Sequence, residues 1–270
     1  MKSKIASHLN LQFNPVVLLR SDERPHEAIQ LKEGKYCCVM SMFAQVTAHG
    51  KTAVFDRKTY GCPGAVAGLG MGTAYPTAMG GADMFEAFFS KGKEAAKDPV
   101  AYQNIIDNAP AHMRSKLTIG ERFHCTPEKA RKWFSEDLPV YDFSNEYRIM
   151  KPLSEVEECE LPDSVAFVVN PLQLSALITL AGSVREGLMD IMAPQGAACQ
   201  MIGAYVFQQA ERDRPKPVLG MTDLAARKHV RTTIPEEYLT FAMPWNLFLQ
   251  LEEEAVDGIF VSPLWLDLQK

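Results

Sequence analysis

Six cysteines are the residues of this chain best suited to chemistry: Cys37, Cys38, Cys62, Cys125, Cys159 and Cys199. None stands in C-x-x-C spacing, so there is no local knuckle for zinc or an iron–sulfur cluster, and a shared site must be assembled from distant segments. Cys62 has the most telling surroundings. It lies near the head of TYGCPGAVAGLGMGTAYPTAMGGAD (Thr59 to Asp83), a stretch of 25 residues that holds seven of the 17 glycines, Gly61, Gly64 and Gly68 among them. Residues without Cβ let backbone approach backbone or ligand closely. A thiol presented where a loop turns into a short Ala/Gly helix meets the positive helix end, which favours thiolate and so a nucleophile or a metal ligand. The bland alternative is a tightly packed loop with a buried structural cysteine.

Composition narrows the setting. With 270 residues, 47% of them hydrophobic and 23% charged, the chain is long enough to bury a substantial core and has the balance of a soluble globular protein. A net charge of −5 gives no electrostatic reason to expect nucleic acid. No apolar run reaches membrane-spanning length, and the residues after Lys2 and Lys4 lack the apolar core of a signal peptide. The expectation is a cytoplasmic protein with reduced thiols, binding neither membrane nor nucleic acid.

The elements that must position the thiols follow from pattern and punctuation. PVVLL (15–19), TAVFD (52–56), KLTIGERFHC (116–125), SVAFVVN (164–170), LMDIM (188–192), PVLGMT (217–222) and YLTFAM (238–243) read as strands. YCCVMSMFAQVT (36–47) reads as a buried helix ending by Gly50, and its adjacent cysteines point to different faces, so at most one serves a given site. DMFEAFFSKG, PVAYQNIIDNAP, TPEKARKWF, PLQLSALITLAGSVREG (closing at Gly187), Cys199 to Ala210, DLAARKHV and PWNLFLQLEEEA read as further helices, several opened by proline. The acidic SEVEECELPD (154–163) reads as a connector that leaves Cys159 exposed. The expected fold is α+β with mixed sheets and covering helices: one domain over 1–270, built from two similar lobes, 1–150 and 160–270.

A shift of 137 residues pairs Ala44 with Ala181, Gly50 with Gly187, Cys62 with Cys199 and Ala67 with Ala204. In both copies an apolar helix ends near a glycine, a short strand follows, and a small-residue turn delivers a cysteine to a helix start. An internal duplication about a pseudo-two-fold axis would bring Cys62 and Cys199 toward a common cleft.

The order CC (37–38), YGCPGAVAGLG (60–70), GERFHCTPEKARKWF (120–134), QGAACQMIGAY (195–205), LGMTDLAARK (219–228) and TFAMPWNLFLQL (240–251) resembles the bacterial and archaeal domain-of-unknown-function family numbered 169, over most of the chain. The resemblance implies shared cysteines at Cys38, Cys62 and Cys199. It also marks two departures: many relatives carry Cys-Gln where this chain has Cys38-Val39, and a cysteine where Met221 or Thr222 stands. It implies no particular activity.

Three function classes remain open. The first is a protein that binds a metal such as zinc, an iron–sulfur cluster or a metal-bearing cofactor through Cys38, Cys62 and Cys199, with Cys125 or His124 as a fourth ligand. The second is an enzyme or small-molecule binder with Cys62 as reactive thiol, Gly61, Gly64 and Gly68 as a close-approach cradle, and Asp223 and Arg227 as polar anchors at i, i+4 spacing. The third is a structural or partner-binding protein whose cysteines only pack. Two nucleotide motifs fail on spacing: GLGMG is not G-x-G-x-x-G, and Gly50-Lys51-Thr52 lacks the earlier glycine of a phosphate-binding loop.

Overall fold

Among the described residues, runs of branched and aromatic residues build seven strands, and proline and glycine set most of the breaks between them. The structure is a computed structural model that describes residues 1–185 and 191–270. It forms two units, residues 1–71 with 141–270, and residues 72–140.

The larger unit begins with α1 (Lys4–Leu9), β1 (Val16–Ser21), β2 (Ile29–Gln30), α2 (Val39–His49), β3 (Ala53–Phe55) and α3 (Pro63–Gly68). The smaller unit contains α4 (Gly81–Phe89), α5 (Pro99–Asn108), α6 (Ala111–Ile119) and α7 (Pro127–Lys132). Its core is aromatic: Tyr75 packs edge-on to Phe85 at 5.1 Å and also meets Phe89, Trp133 and Phe134. The buried carboxylate of Glu86 is held there by Lys97 at 3.0 Å and by Arg131.

The chain then returns to the larger unit with β4 (Tyr147–Pro152), β5 (Ser164–Val169), α8 (Pro171–Ser183), α9 (Ala198–Ile202) and α10 (Ala204–Ala210). It closes with β6 (Val218–Gly220), α11 (Leu224–Val230), β7 (Leu239–Pro244), α12 (Trp245–Glu254) and α13 (Pro263–Leu268). One mixed sheet results, in the order β2-β3-β4-β1-β5-β7-β6, antiparallel except for the β2–β3 pair. The fold is α+β, as its sequence pattern requires.

Several elements differ from the sequence expectation. KLTIGERFHC is no strand: Lys116 to Ile119 continue α6, which buries Leu117 and ends at Gly120, and His124 and Cys125 follow in irregular chain. Helix α2 starts at Val39, because Cys38 is extended (φ −81°, ψ 121°) and serves as its N-cap. The segment from Cys199 to Ala210 is two helices. The break falls at Gly203, where the Gly68 carbonyl comes too close for any side chain. Of LMDIM, Leu188, Met189 and Asp190 lie outside the described residues, as does Gly187, while Met192 bridges in parallel to Val218.

The two ends of the sheet share one register. Val16 of β1 pairs with Pro152 of β4, and Ser164 of β5 pairs with Pro244 of β7, first residue to last in each case. Two residues before those prolines, Met150 pairs with Ala53 of β3 and Ala242 with Val218 of β6. Beyond them Ile29 pairs in parallel with Ala53, and Met192 in parallel with Val218. The central strands pair antiparallel about Val17 and Val165. This register sets α3, after β3, against α11, after β6. It therefore relates Cys62 to Asp223, a different pairing from the 137-residue shift, which aligned cysteine with cysteine rather than strand with strand.

Candidate functional site

The larger unit brings the starts of four helices together. Cys38 is the N-cap of α2 and Cys62 that of α3, whose first residue is Pro63. Cys199 lies in the first turn of α9, and Asp223 is the N-cap of α11. Helix α3 packs on α9, α11 packs on α2, and α2 also meets α9.

Two glycines of the Gly-rich run set these approaches. Gly61, at φ +81°, accepts a hydrogen bond from the Cys37 amide at 3.2 Å, and a Cβ there would strike the Cys37 carbonyl. The turn before Cys62 is thereby laid against the backbone that carries Cys37 and Cys38. A Cβ on Gly68 would strike the backbone between Cys199 and Gln200, so α3 lies directly on α9. Asp223 adds a further tie: its Oδ1 accepts from the Ala225 amide at 2.8 Å and its Oδ2 from the Ala198 amide, beside Cys199, at 3.1 Å.

Electrostatics join the same residues. Burial pushes the Cys38 thiol up to about 12, the neighbouring Cys62 adds to the rise, the Met40 amide opposes it, and Asp223 and Cys37 reinforce it. Cys62 is pushed up to about 11, again by burial first. The Ala65 and Gly64 amides donate toward its sulfur and pull the other way, so the helix-end effect is present, but burial outweighs it. Cys199 is raised well above its ordinary value by burial and by Cys62, Cys38 and Asp223. All three are thiols at neutral pH in the ligand-free protein, and the charged groups that weigh most on them are acidic.

Sequence reasoning missed Arg148. Its side chain is fully buried on β4 and donates to the Leu69 and Gly70 carbonyls at the carboxyl end of α3, both at 2.8 Å, and to the Phe143 carbonyl at 2.9 Å. Burial, with Arg57 and Arg20 nearby, pushes its pKa down to about 10. A cation at a helix carboxyl end is favourable, and here it pins the end of α3 opposite Cys62. An arginine inside a strand reads as a surface residue, so the sequence offered no signal for it.

The remaining candidates are placed as follows. Gly64 lies in α3, its amide directed at Cys62. Arg227 donates to the carbonyls of Glu236 at 2.7 Å and Tyr238 at 3.3 Å. In the smaller unit His124 packs against Trp133 at 5.5 Å between ring centroids, and Cys125 is exposed. Cys159 is exposed as well. Among the described residues no group of three or more His, Cys, Asp or Glu side chains is arranged to hold a metal ion. Nor is any described helix long and apolar enough to cross a membrane.

A mixed sheet with one buried and two half-buried thiols at neighbouring helix starts defines a thiol-bearing α+β protein. The particular family is DUF169, described as "Uncharacterised ArCR": its profile matches residues 4–254, and the chain belongs to it. No curated protein and no solved structure matches the chain.

Proposed function

We propose that the protein binds an iron–sulfur cluster, or a cofactor bearing metal in that form, through Cys38, Cys62 and Cys199. The observation that carries this reading is the juxtaposition of one buried thiol, Cys199, and two half-buried ones, Cys38 and Cys62, on helix starts that Gly61 and Gly68 lay against one another. Each raises or is raised by another, and Asp223 raises all three. A bound metal group supplies the missing positive charge and turns such thiols into thiolates.

The choice between a cluster and zinc rests on convergence. A structural zinc ion needs its donors to meet around one point. The described residues offer no such group, and a cluster spreads its thiolates over separate irons a few ångströms apart, so it asks for a looser convergence than a single zinc ion does. When bound, a cluster supplies an electron store or a Lewis-acidic iron. The chain's part is to hold the thiolates at fixed helix starts and to shield them from water. Cys62 as a free nucleophile has weaker support. Its thiol at about 11 stays protonated at neutral pH, and its weightiest charged neighbours, Asp223 and Cys37, are acids.

The test is purification without oxygen, followed by visible absorbance and by iron and sulfide analysis. The expected result is a coloured protein whose iron content falls in Cys38→Ser, Cys62→Ser and Cys199→Ser and is unchanged in Cys159→Ser. A colourless protein that also takes up no iron when mixed anaerobically with iron and sulfide overturns the proposal.

A further inference from the structure

The cluster reading leaves Cys37 without a part, although its backbone lies against the turn that carries Cys62. The Cys37 amide donates to the Gly61 carbonyl at 3.2 Å, and a Cβ on Gly61 would come within 2.4 Å of the Cys37 carbonyl oxygen and 2.8 Å of Leu31 Cδ1. The Cys62 amide closes the same turn on the Tyr60 carbonyl at 3.0 Å. Covalent geometry on either side of the bond from Cys37 to Gly61 then holds the Cα atoms of Cys37 and Cys62 within roughly 7 Å, about the reach of a disulfide. Both thiols are free and half-buried, so a small solute reaches them, whereas Cys199 is buried.

From this contact we propose that Cys37 and Cys62 form a modification site, closed to a disulfide by a low-molecular-weight disulfide of the glutathione class, and that the bridge withdraws Cys62 from metal. The bridge stands on backbone geometry. Its effect on metal rests on the cluster reading above.

The chemistry is two successive thiol–disulfide exchanges. The Cys37 thiolate attacks one sulfur of the small disulfide, forms a mixed disulfide and expels one small thiolate. Cys62 gives its proton to that thiolate, and its sulfur then displaces the second small thiol from Cys37. One S–S bond breaks and one forms, and two electrons with two protons pass from the protein to the small disulfide, which leaves as two thiols. Cys37 Sγ makes a weak hydrogen bond to the Cys38 carbonyl at 3.7 Å, so turning toward Cys62 gives up little. Burial keeps Cys62 protonated and slows the second exchange, so the reaction is read after long incubation.

The experiment incubates the whole metal-free chain anaerobically with oxidised glutathione, blocks the remaining thiols by alkylation and maps linked peptides by mass spectrometry without reduction. The expected product is a linked Cys37–Cys62 peptide pair, removed by dithiothreitol and missing from Cys37→Ser. Iron and sulfide are then offered anaerobically to the oxidised proteins. Wild type is expected to lose most of its iron uptake and to regain it with dithiothreitol, while Cys37→Ser treated alike keeps its uptake. Mixed disulfides without a linked pair, or a dominant pair that omits Cys37, overturn the proposal, as does undiminished iron uptake by the bridged protein. An iron-free reduced wild type that still yields the linked pair sinks the cluster reading and upholds the bridge.

Discussion

The two faces of the central sheet are built to different ends. On one, Val17, Leu19, Val165, Phe167, Val169, Phe241 and Met243 form a hydrocarbon layer with Leu177, Leu180, Leu247, Phe248 and Leu251 of α8 and α12. On the other, large apolar residues such as Leu18, Phe55, Met150 and Val218 alternate with small or polar ones that are equally buried: Ala53, Ala166, Gly220, Ala242, Arg148, Ser164 and Thr240. There Ser164 donates to the Ile202 carbonyl at 2.7 Å, and Arg148 grips the end of α3. Successive side chains of a strand point to opposite faces, so one strand can add hydrocarbon to the first layer with one residue and a small or polar group beneath the thiol-bearing helices with the next. Where the small and polar residues fall, the second face gives up hydrocarbon contact for backbone-to-backbone approach and directed hydrogen bonds, which is what fixed helix starts require.

The sharpest way to break that division is to empty the hydrocarbon layer. Phe248 is fully buried there, and Phe248→Ala is expected to lower stability by about 3–5 kcal/mol through lost burial and the cavity left behind. Denaturant unfolding measures the loss. Iron bound per folded molecule should stay at the wild-type level, and a parallel fall in iron would mean that the faces are not separable.

On the opposite face a smaller destabilisation should carry a larger functional effect. Arg148→Met leaves the Leu69 carbonyl without its side-chain donor and takes one of two donors from the Gly70 and Phe143 carbonyls, which keep the Phe143 amide and Arg57, at a cost of about 1–3 kcal/mol. It also frees the end of α3, so iron uptake should fall further than in Phe248→Ala, although Arg148 grips α3 at the end away from Cys62. Arg148→Lys offers a single ammonium where the guanidinium donates from several nitrogens, and it should repair little. Equal iron uptake in Arg148→Met and wild type would remove the positioning role.

The thiols give this face a pH signature that the other lacks. A thiol whose folded pKa stands above its ordinary value of about 9 stays protonated in the fold while the unfolded chain begins to ionise. The stability it lends is complete below pH 9 and is lost as pH rises through about 11 for Cys62 and about 12 for Cys38. Metal-free protein should therefore unfold at constant denaturant concentration between pH 7 and 8. It should weaken above pH 9 by roughly 1 kcal/mol per thiol over the first unit. Cys38→Ser should flatten part of that slope, and a slope that does not change assigns it to other groups.

How much of this was legible in the chain differs between the faces. Apolar runs such as SVAFVVN marked the hydrocarbon layer, because continuous burial leaves a continuous apolar sequence. Strand β4, YRIMKP, gave no such mark: its Arg148 and Lys151 are buried through hydrogen bonds and an ion pair that only the fold supplies. The Gly-rich run and the three cysteines pointed to one site, since thiols and missing Cβ atoms are visible as residue types. Asp223 read only as a polar anchor at i, i+4 spacing from Arg227. Its reach to Ala198 spans 25 residues of sequence and could not be seen without the sheet register. KLTIGERFHC failed for the opposite reason, since local alternation suggested a strand where Pro110 and Leu117 had already committed the segment to a helix.

The smallest effect tests whether every polar group on the second face has been placed. Thr240 is fully buried on β7, opposite Gly220, and among the described residues its Oγ1 has no hydrogen-bond partner. A Cβ on Gly220 would meet that oxygen and the Met201 side chain together, so the hydroxyl lies beneath α9, the helix that carries Cys199. If it only fills space, Thr240→Val keeps the shape, removes an unsatisfied group and leaves stability the same or higher by up to about 1 kcal/mol, with iron uptake unchanged. If the hydroxyl is instead held in reserve for a bound group, the same substitution stabilises the metal-free protein and weakens iron uptake. Thermal unfolding and iron analysis on one preparation separate the two outcomes, and the second would extend the site from the helix starts down to the sheet itself.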